Sequence, residues 1–255
     1  MSDLRQIPLV CFPHAGAGAL YYGKWRHTFQ DGIDLRIVEY PFRERRLRTP
    51  MPSSVELLAG EIFAEFADVF RGPYAVWGHS MGSIIGYEVA KLCQERLDNP
   101  PLVYFGSGSS APSGSRFTRV RDLDSTAGFN DVLRRYGGVG EEILRDAGFV
   151  KYIAPVIEAD LRLMGGYVDT AREKLRCPIV LMQGREDAVT SGPWAEYTDA
   201  PLEVFEYDGG HFFHDAHRAE MAGLMESRIQ TRWQLTSASD DFDLPTPPTA
   251  APGRR

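Results

Sequence analysis

The feature that most constrains the fold is an alternation of short, continuously apolar runs with longer stretches of helical periodicity. Runs that are apolar at nearly every position are typical of strands buried on both faces of a sheet. Six such runs occupy residues 7–12, 35–40, 74–77, 102–105, 179–182 and 202–207. Helical spacing appears near residues 22–30, 55–70, 81–96 and 217–235. This order of elements predicts an α/β fold with a mostly parallel sheet flanked by helices.

One long interval, between the fourth and fifth apolar runs, has helical pieces but no strand pattern. The pieces cover residues 129–136, 141–149 and 152–164. The interval is too long for a simple connection and too apolar for a disordered one. We interpret residues 111–171 as a helical lid over one end of the sheet, with extra helices stacked on a sheet face as the alternative. Residues 1–110 and 172–235 then form the core.

Residues 236–255 differ in composition from the rest of the chain. They contain four prolines, a small acidic run and little apolar content. Segments of this kind cannot bury enough apolar surface to offset the entropy of ordering. We therefore expect a disordered C-terminal tail.

Charge and cysteine content limit the classes of function. The chain has 28 Lys and Arg against 35 Asp and Glu, a net charge of −7, which argues against a general nucleic-acid binder. No uncharged apolar run approaches the roughly 20 residues of a membrane helix, and residues 1–7 lack the apolar segment of a signal peptide. Cys11, Cys93 and Cys177 show neither metal-ligand nor disulfide spacing, so we expect buried, reduced thiols. We expect a soluble, cytoplasmic monomer that binds neither membranes nor metal.

A candidate nucleophile follows the third apolar run. The segment Gly78-His79-Ser80-Met81-Gly82 is a G-x-S-x-G pattern between a predicted strand and a predicted helix. Such a turn is sharp, so side chains two residues before and after the serine would clash. It also places the serine oxygen at a helix N-terminus, where the dipole favours negative charge. The pattern predicts Ser80 as a nucleophile, with an ordinary helix-capping serine as the alternative.

A serine nucleophile needs a base, and the base needs an orienting carboxylate. In this kind of fold the acid and then the histidine follow the serine along the chain. Three histidines qualify, namely His211, His214 and His217. His211 follows a Gly-Gly turn that leaves the last strand, at the sheet edge where sites of open α/β sheets lie. We predict His211 as the base, and surface or capping roles for the other two.

The acid is expected after an earlier strand. The segment that follows the fifth apolar run contains Glu186 and Asp187. We prefer Asp187, although spacing alone does not separate the two neighbours. Asp208 is a weaker alternative, because an acidic residue after a strand is commonly a turn residue.

The negative oxygen that forms during acyl transfer needs preorganised N–H donors. One donor is expected to be the backbone N–H of Met81, directly after the nucleophile. The other is expected from loop 13–18, which is small and rich in glycine and so lets the backbone approach a substrate. Within this loop we predict Ala15. The loop matches no phosphate-binding motif.

Together these segments resemble the stand-alone type II thioesterases of polyketide and non-ribosomal peptide assembly lines, which are α/β-hydrolases. The resemblance is carried by Cys11-Phe12-Pro13-His14-Ala15-Gly16, Tyr40-Pro41 with Arg43, Pro73-Tyr74 before the serine turn, Tyr136-Gly137-Gly138, Cys177-Pro178 and Gly209-Gly210-His211-Phe212-Phe213. It implies a nucleophile at Ser80, an acid at Asp187, a base at His211 and oxyanion donors at Met81 and Ala15. It also implies hydrolysis of an acyl thioester on the phosphopantetheine arm of a carrier protein that arrives in trans, without metal or cofactor.

Two positions depart from the family pattern. Ala17 replaces the second glycine of the usual His-Ala-Gly-Gly, and Phe42 replaces the glycine of the usual Tyr-Pro-Gly-Arg. Phe42 adds bulk and removes backbone freedom near the expected mouth of the site. Both changes bear on the shape of the pocket, and hence on acyl preference.

Arginines are concentrated directly after the second apolar run. Arg43, Arg45, Arg46 and Arg48 fall within six residues. Carrier domains of the implied kind are acidic, so we predict that Arg43, Arg45 and Arg46 steer carrier docking electrostatically. A solvated loop is the alternative.

Two other classes of function compete with the carrier thioesterase. One is a carboxylesterase that acts on free small esters, and the other is a catalytically silent, hydrolase-like binding protein. The intact set of Ser80, Asp187 and His211 argues against the silent protein. The His-Ala-Gly loop and the Gly-Gly-His-Phe-Phe segment favour the thioesterase over the esterase.

Overall fold

The computed structural model describes residues 6–30, 32–114 and 147–240. Its centre is a six-stranded sheet with the order β2-β1-β3-β4-β5-β6. The strands are β1 (Ile7–Phe12), β2 (Ile33–Ile37), β3 (Ala75–His79), β4 (Tyr104–Ser107), β5 (Ile179–Gly184) and β6 (Leu202–Tyr207). Every neighbouring pair is parallel, which confirms the predicted α/β class.

Helices cover both faces of this sheet. They are α1 (Ala19–Tyr22), α2 (Val55–Glu65), α3 (Ala67–Phe70), α4 (Met81–Leu97), α5 (Ala147–Gly165) and α6 (Arg218–Asp240). Along β1, Val10 and Phe12 join the apolar cluster that contains α2 and α4, whereas Leu9 and Cys11 join the cluster that contains α6. Successive side chains of a strand point to opposite faces, so a continuously apolar strand supplies two cores.

The observed bounds differ from the predicted ones mainly at strand ends. β1 and β6 match their predicted ranges, whereas β3, β4 and β5 extend further, to His79, Ser107 and Gly184. These extensions contain small or polar residues that hydrophobicity alone does not assign to a strand. β2 covers Ile33–Ile37 instead of the predicted 35–40, and its last residue pairs with Cys11, close to the end of β1. The three cysteines are buried free thiols, and burial raises the pKa of Cys93 and Cys177 to about 12.

The C-terminal part corrects one boundary. Helix α6 continues to Asp240, so the prediction that a disordered tail begins at residue 236 is wrong for residues 236–240. Thr236 keeps the helical connection, because its Oγ1 donates to the carbonyl oxygens of Arg232 (3.1 Å) and Trp233 (3.0 Å). The remainder of the predicted tail lies outside the described residues.

The predicted lid region is described only in part. The piece at residues 129–136, and most of the piece at 141–149, lie outside the described residues. The third piece, predicted at residues 152–164, is α5, which contains Pro155 and extends over Ala147–Gly165. Ile157 of α5 lies against Gly16, in the loop that follows the carboxyl end of β1. α5 thus contacts the sheet edge at which the candidate site residues were predicted.

Candidate active site

Ser80 lies at the turn between β3 and α4. Its backbone has φ 54° and ψ −119°, a conformation that costs a non-glycine residue about 1–3 kcal/mol. The Ser80 N–H donates to the carbonyl oxygen of Ser107 (2.8 Å), which ties the turn to the end of β4. The Ser80 side chain makes no capping hydrogen bond to α4, unlike an ordinary N-cap serine. The turn has the strained geometry expected of a nucleophile.

The two glycines of the turn are required by close contacts. A Cβ at Gly82 would overlap the carbonyl oxygen of Phe12, the last residue of β1. A Cβ at Gly78 would overlap the carbonyl oxygen of Gly82. The absence of both side chains lets α4 begin directly against the end of β1.

His211 and Asp187 form a buried hydrogen-bonded pair. Asp187 Oδ2 is 2.8 Å from His211 Nδ1, and the two side chains are 2% and 4% exposed. The second oxygen, Oδ1, accepts a hydrogen bond from the Val189 N–H (2.9 Å), which fixes the carboxylate. The His211 ring lies 5.1 Å from the ring of His79, the residue before Ser80. With Nδ1 held by the carboxylate, Nε2 is the ring nitrogen suited to proton transfer.

The other candidate carboxylates have different surroundings. Glu186 is exposed to solvent. Asp208 has a side chain that is 79% exposed, and its Oδ1 accepts from Nη1 of Arg185 at 2.5 Å. The geometry therefore distinguishes Asp187 from the two alternatives that spacing left open.

The predicted oxyanion donors lie on adjoining segments. Met81 is the first residue of α4, so its N–H is one of the helix-terminal donors that lack an intrahelical acceptor. In loop 13–18 the Ala17 N–H donates to His14 O (3.0 Å) and the Gly16 N–H donates to Asp160 Oδ2 (2.7 Å). Among the described residues, no acceptor is bound to the N–H of Ala15. The N–H groups of Met81 and Ala15 therefore stay candidates for the oxyanion donors.

His217 and His214 differ in their exposure to solvent, although the sequence predicts the same role for both. His217 is partly exposed, and its Nε2 lies 3.0 Å from the carbonyl oxygen of Asp208, in keeping with the predicted surface role. The prediction of a surface or capping role for His214 is wrong, because this side chain is fully buried. The short helical turn Phe213–Asp215 directs it inward. Its aromatic neighbours at 212 and 213 were the only sequence signal for burial.

His214 belongs to a buried histidine cluster that the sequence analysis missed, formed by His14, His79 and His214. The His79 ring is 4.2 Å from that of His214 and 5.7 Å from that of His14. Each member has a polar partner. Nδ1 of His14 is 2.8 Å from the Tyr22 hydroxyl, Nδ1 of His79 is 2.8 Å from Ser107 Oγ, and Nε2 of His214 is 3.3 Å from the Tyr21 hydroxyl. Burial lowers the pKa of all three well below the usual histidine value. The three imidazoles of the cluster beside His211 are therefore uncharged at neutral pH.

Arg43 is not available for carrier docking, and this prediction is wrong. Its side chain is 3% exposed and forms a bidentate ion pair with Asp160 of α5, which is fully buried. Burial raises the pKa of Asp160, and the Arg43 guanidinium acts in the opposite direction. Sequence alone did not indicate this partner, because Asp160 is 117 positions away.

The other two arginines of the docking prediction each have acidic neighbours. Arg45 is 84% exposed at its side chain and pairs with Glu39. Arg46 is 24% exposed and lies 3.6 Å from a carboxylate oxygen of Glu61 and of Glu65. Their positive charge is therefore partly balanced where it reaches the surface.

Within residues 6–30, 32–114 and 147–240, no group of three or more histidine, cysteine, aspartate or glutamate side chains is placed to hold a metal ion. In the same part of the chain, no helix is both long and apolar enough to cross a membrane.

Comparison with known proteins identifies the family. A family model described as "Thioesterase domain" matches residues 7–229. Thioesterase PikA5 of Streptomyces venezuelae is 28% identical over 249 residues, 96% of this chain and 87% of PikA5. Gramicidin S biosynthesis protein GrsT of Aneurinibacillus migulanus is 30% identical over 234 residues, 90% of this chain and 91% of GrsT. The crystal structure of ClbQ, from the colibactin NRPS/PKS pathway, is similar with a TM-score of 0.82 at 26% identity, covering 90% of this chain and 99% of ClbQ.

The matched residues 7–229 include all six strands and the turn that carries Ser80. The comparisons confirm the resemblance to the type II thioesterases of polyketide and non-ribosomal peptide biosynthesis. They also confirm the α/β-hydrolase fold, since the structural neighbours share this parallel sheet flanked by helices. The chain therefore belongs to the thioesterase family, whose members are serine-based hydrolases of thioesters.

Proposed function

We propose that this thioesterase acts in trans and removes acyl groups from the phosphopantetheine arm of acyl or peptidyl carrier proteins. The observation that carries the proposal is the buried Asp187–His211 pair beside the strained turn of Ser80, in a chain of the thioesterase family. The names of GrsT and ClbQ place those relatives in gramicidin S biosynthesis and in an NRPS/PKS pathway, where substrates are carried as thioesters. Editing of stalled chains and product release are both within this chemistry.

In the acylation half-reaction, His211 Nε2 accepts the proton of the Ser80 hydroxyl as Oγ attacks the thioester carbonyl carbon. Asp187 holds the imidazole ring in the required tautomer and stabilises the imidazolium. The carbon–sulfur bond then breaks, and the pantetheine sulfur leaves with the proton that His211 returns. The products are an acyl ester on Ser80 and the free carrier thiol.

In the second half-reaction, His211 removes a proton from water, which attacks the acyl ester and releases the free acid. Both half-reactions pass through a tetrahedral intermediate with a negative oxygen. In this proposal the N–H groups of Met81 and Ala15 stabilise that oxygen, and one such donor contributes about 10²–10³ in kcat in other serine hydrolases. No metal or diffusible cofactor takes part in these steps.

Carrier docking remains a proposal for Arg45 and Arg46 alone. Arg45 supports it through its exposure, and both residues lie in the segment that follows Tyr40-Pro41. We further propose that the protein is cytoplasmic and monomeric. Its three buried, unpaired cysteines are typical of proteins kept in a reducing compartment.

A single experiment separates the candidate functions. The protein and its Ser80→Ala variant are incubated with an acyl-phosphopantetheinyl carrier protein and, separately, with p-nitrophenyl esters. Acyl loss from the carrier is followed by intact mass. We expect loss from the carrier only when Ser80 is present. Ester turnover with an untouched carrier would indicate a carboxylesterase, and no turnover of either substrate would indicate a silent binding protein.

A further inference from the structure

The buried ion pair between Arg43 and Asp160 is not used by the proposed mechanism. Arg43 Nη1 donates to Asp160 Oδ2 at 2.8 Å, and Nη2 donates to Oδ1. Both side chains are almost completely excluded from solvent. A buried ion pair is generally no more stabilising than well-packed apolar side chains of similar volume. Its presence here calls for a role other than stability of the fold.

The same pair also binds the backbone of loop 13–18. Asp160 Oδ2 accepts a hydrogen bond from the Gly16 N–H (2.7 Å), and Arg43 Nη1 donates to the Ala17 carbonyl oxygen (2.9 Å). Ile157, one turn before Asp160 on α5, packs so closely on Gly16 that a Cβ there would lie 3.1 Å from its Cδ1. α5 therefore contacts the loop through one apolar and one charged side chain.

These contacts hold the backbone that directly follows Ala15, the residue predicted to supply the second oxyanion donor. The backbone groups of Gly16 and Ala17, directly after Ala15, are bound by Asp160 and Arg43, and the Ala17 N–H closes the turn on His14. An oxyanion donor is effective only if it is oriented before the reaction begins. A displacement of about 1 Å can lower a rate about 10²-fold.

We propose that Asp160, acting with Arg43, is a positioning residue for the oxyanion hole, and that the hole forms only when α5 is seated on loop 13–18. This inference rests on the proposed serine mechanism. It makes α5 a part of the catalytic apparatus as well as a cover over the sheet edge.

The test compares Asp160→Asn with Glu158→Gln, a matched control on the same helix. Glu158 forms an exposed ion pair with Arg162, so its variant removes a carboxylate charge from α5 without touching loop 13–18. Two quantities are measured, namely kcat and KM for an acyl-carrier thioester, and the Ki of phenylboronic acid. A boronic acid forms a reversible tetrahedral adduct with an active serine, so its Ki reports the oxyanion hole directly.

For Asp160→Asn we expect kcat to fall about ten- to hundredfold and Ki to rise by a similar factor, with KM changed less than about threefold. Glu158→Gln is expected to match the wild type. A merely structural role for Asp160 would lower the melting temperature but leave kcat and Ki of the folded protein unchanged, and that result would overturn the inference.

Two further results also have a defined meaning: an Asp160→Asn variant that does not fold, and a wild-type protein that hydrolyses no carrier thioester. If Asp160→Asn does not fold, Arg43→Lys is tested in its place, because an ammonium group cannot form the bidentate contact with the Asp160 carboxylate. Unchanged kcat and Ki in the Arg43→Lys variant would also overturn the inference. If the wild-type protein hydrolyses no carrier thioester, the proposed function fails. The boronic acid Ki then still decides whether Asp160 positions the loop.

Discussion

Positive backbone φ angles occur at three non-glycine residues close to the functional segments, namely Phe42 (65°), Glu44 (45°) and Ser80 (54°). Phe42 stands where the family pattern has glycine. A left-handed conformation costs such a residue about 1–2 kcal/mol. Two hydrogen bonds hold it, from the Phe42 N–H to the carbonyl oxygens of Arg46 and Thr49, both at 3.0 Å. The chain thus accommodates phenylalanine in place of glycine at the cost of a strained backbone at residue 42. This residue directly precedes Arg43, which binds loop 13–18.

The choice between two adjacent carboxylates is also a question at the residue scale. Asp187 is buried against His211, whereas Glu186 faces solvent. We expect Asp187→Asn to lower kcat for thioester hydrolysis about 10⁴-fold, because the amide no longer holds the required imidazole tautomer. Steady-state kinetics with an acyl-carrier substrate measures the effect.

Glu186→Gln serves as the matched control, since it removes a charge one residue away without touching His211. Its kcat should equal that of the wild type. A large loss in Glu186→Gln together with near-normal activity in Asp187→Asn would reverse the assignment of the acid.

At the scale of elements, the buried histidine cluster joins three segments that are distant in sequence. His14 follows β1, His79 ends β3, and His214 lies in the short turn after β6. The groups that face His14 and His214 are mostly further histidines and cations, including His211 and Lys24. Protonation of any member would place a charge among uncharged rings, and burial therefore lowers their pKa values.

This cluster predicts a loss of stability in mild acid. Each histidine has a folded-state pKa below its unfolded value of 6.5, so below that pH the unfolded chain takes up protons that the folded chain does not. Well below pH 6.5 each buried histidine lowers the free energy of unfolding by up to about 1.4 kcal/mol per pH unit, and between pH 6.5 and 5.5 the three together lower it by about 3 kcal/mol. Urea unfolding at pH 7.5, 6.5 and 5.5 measures the slope.

His214→Phe provides the comparison for this slope. It keeps an aromatic ring beside His79 and removes one titrating group, so the loss of stability between pH 6.5 and 5.5 should shrink by the contribution of one proton. A slope equal to that of the wild type would show that His214 is not responsible.

At the scale of the whole molecule, the net charge of −7 conceals an uneven distribution. Arg45 and Arg46 lie together in the segment that follows β2, although Glu39, Glu61 and Glu65 partly balance them. If an acidic carrier docks there, attraction between the two proteins raises the rate of encounter and weakens with salt.

We therefore expect the double variant Arg45→Glu/Arg46→Glu to lower kcat/KM for acyl-carrier substrates about tenfold at low ionic strength. Hydrolysis of a small acyl thioester without carrier protein should not change. Arg176→Glu is the control. Arg176 precedes β5 and so lies at the amino ends of the parallel strands, whereas Arg45 and Arg46 follow the carboxyl end of β2. Unchanged kcat/KM for the carrier in the double variant would exclude docking at this surface.

Much of the architecture follows from local pattern. The ranges of β1 and β6 match their predicted bounds, and α4 differs by one residue from its predicted end, because apolar runs and helical spacing are local properties. The errors fall where local pattern is weak. Residues 236–240 are mostly polar yet continue α6, since Thr236 bonds back to the preceding turn. His214 is polar yet buried, and its Nε2 lies 3.3 Å from the hydroxyl of Tyr21, a residue 193 positions away in the chain.

The sequence by itself predicted the α/β class and the serine turn, because each depends on residue types at short spacing, and the predicted order of nucleophile, acid and base followed from the fold class. Only the tertiary structure decided which carboxylate pairs with His211 and what Arg43 binds. It also decided that His14, His79 and His214 form a buried cluster. Those outcomes depend on side chains that are far apart in the chain and meet at one edge of the sheet. Arg43 shows the reason most clearly: within its own segment it is one of four arginines, and only Asp160 of α5 makes it a buried part of the site.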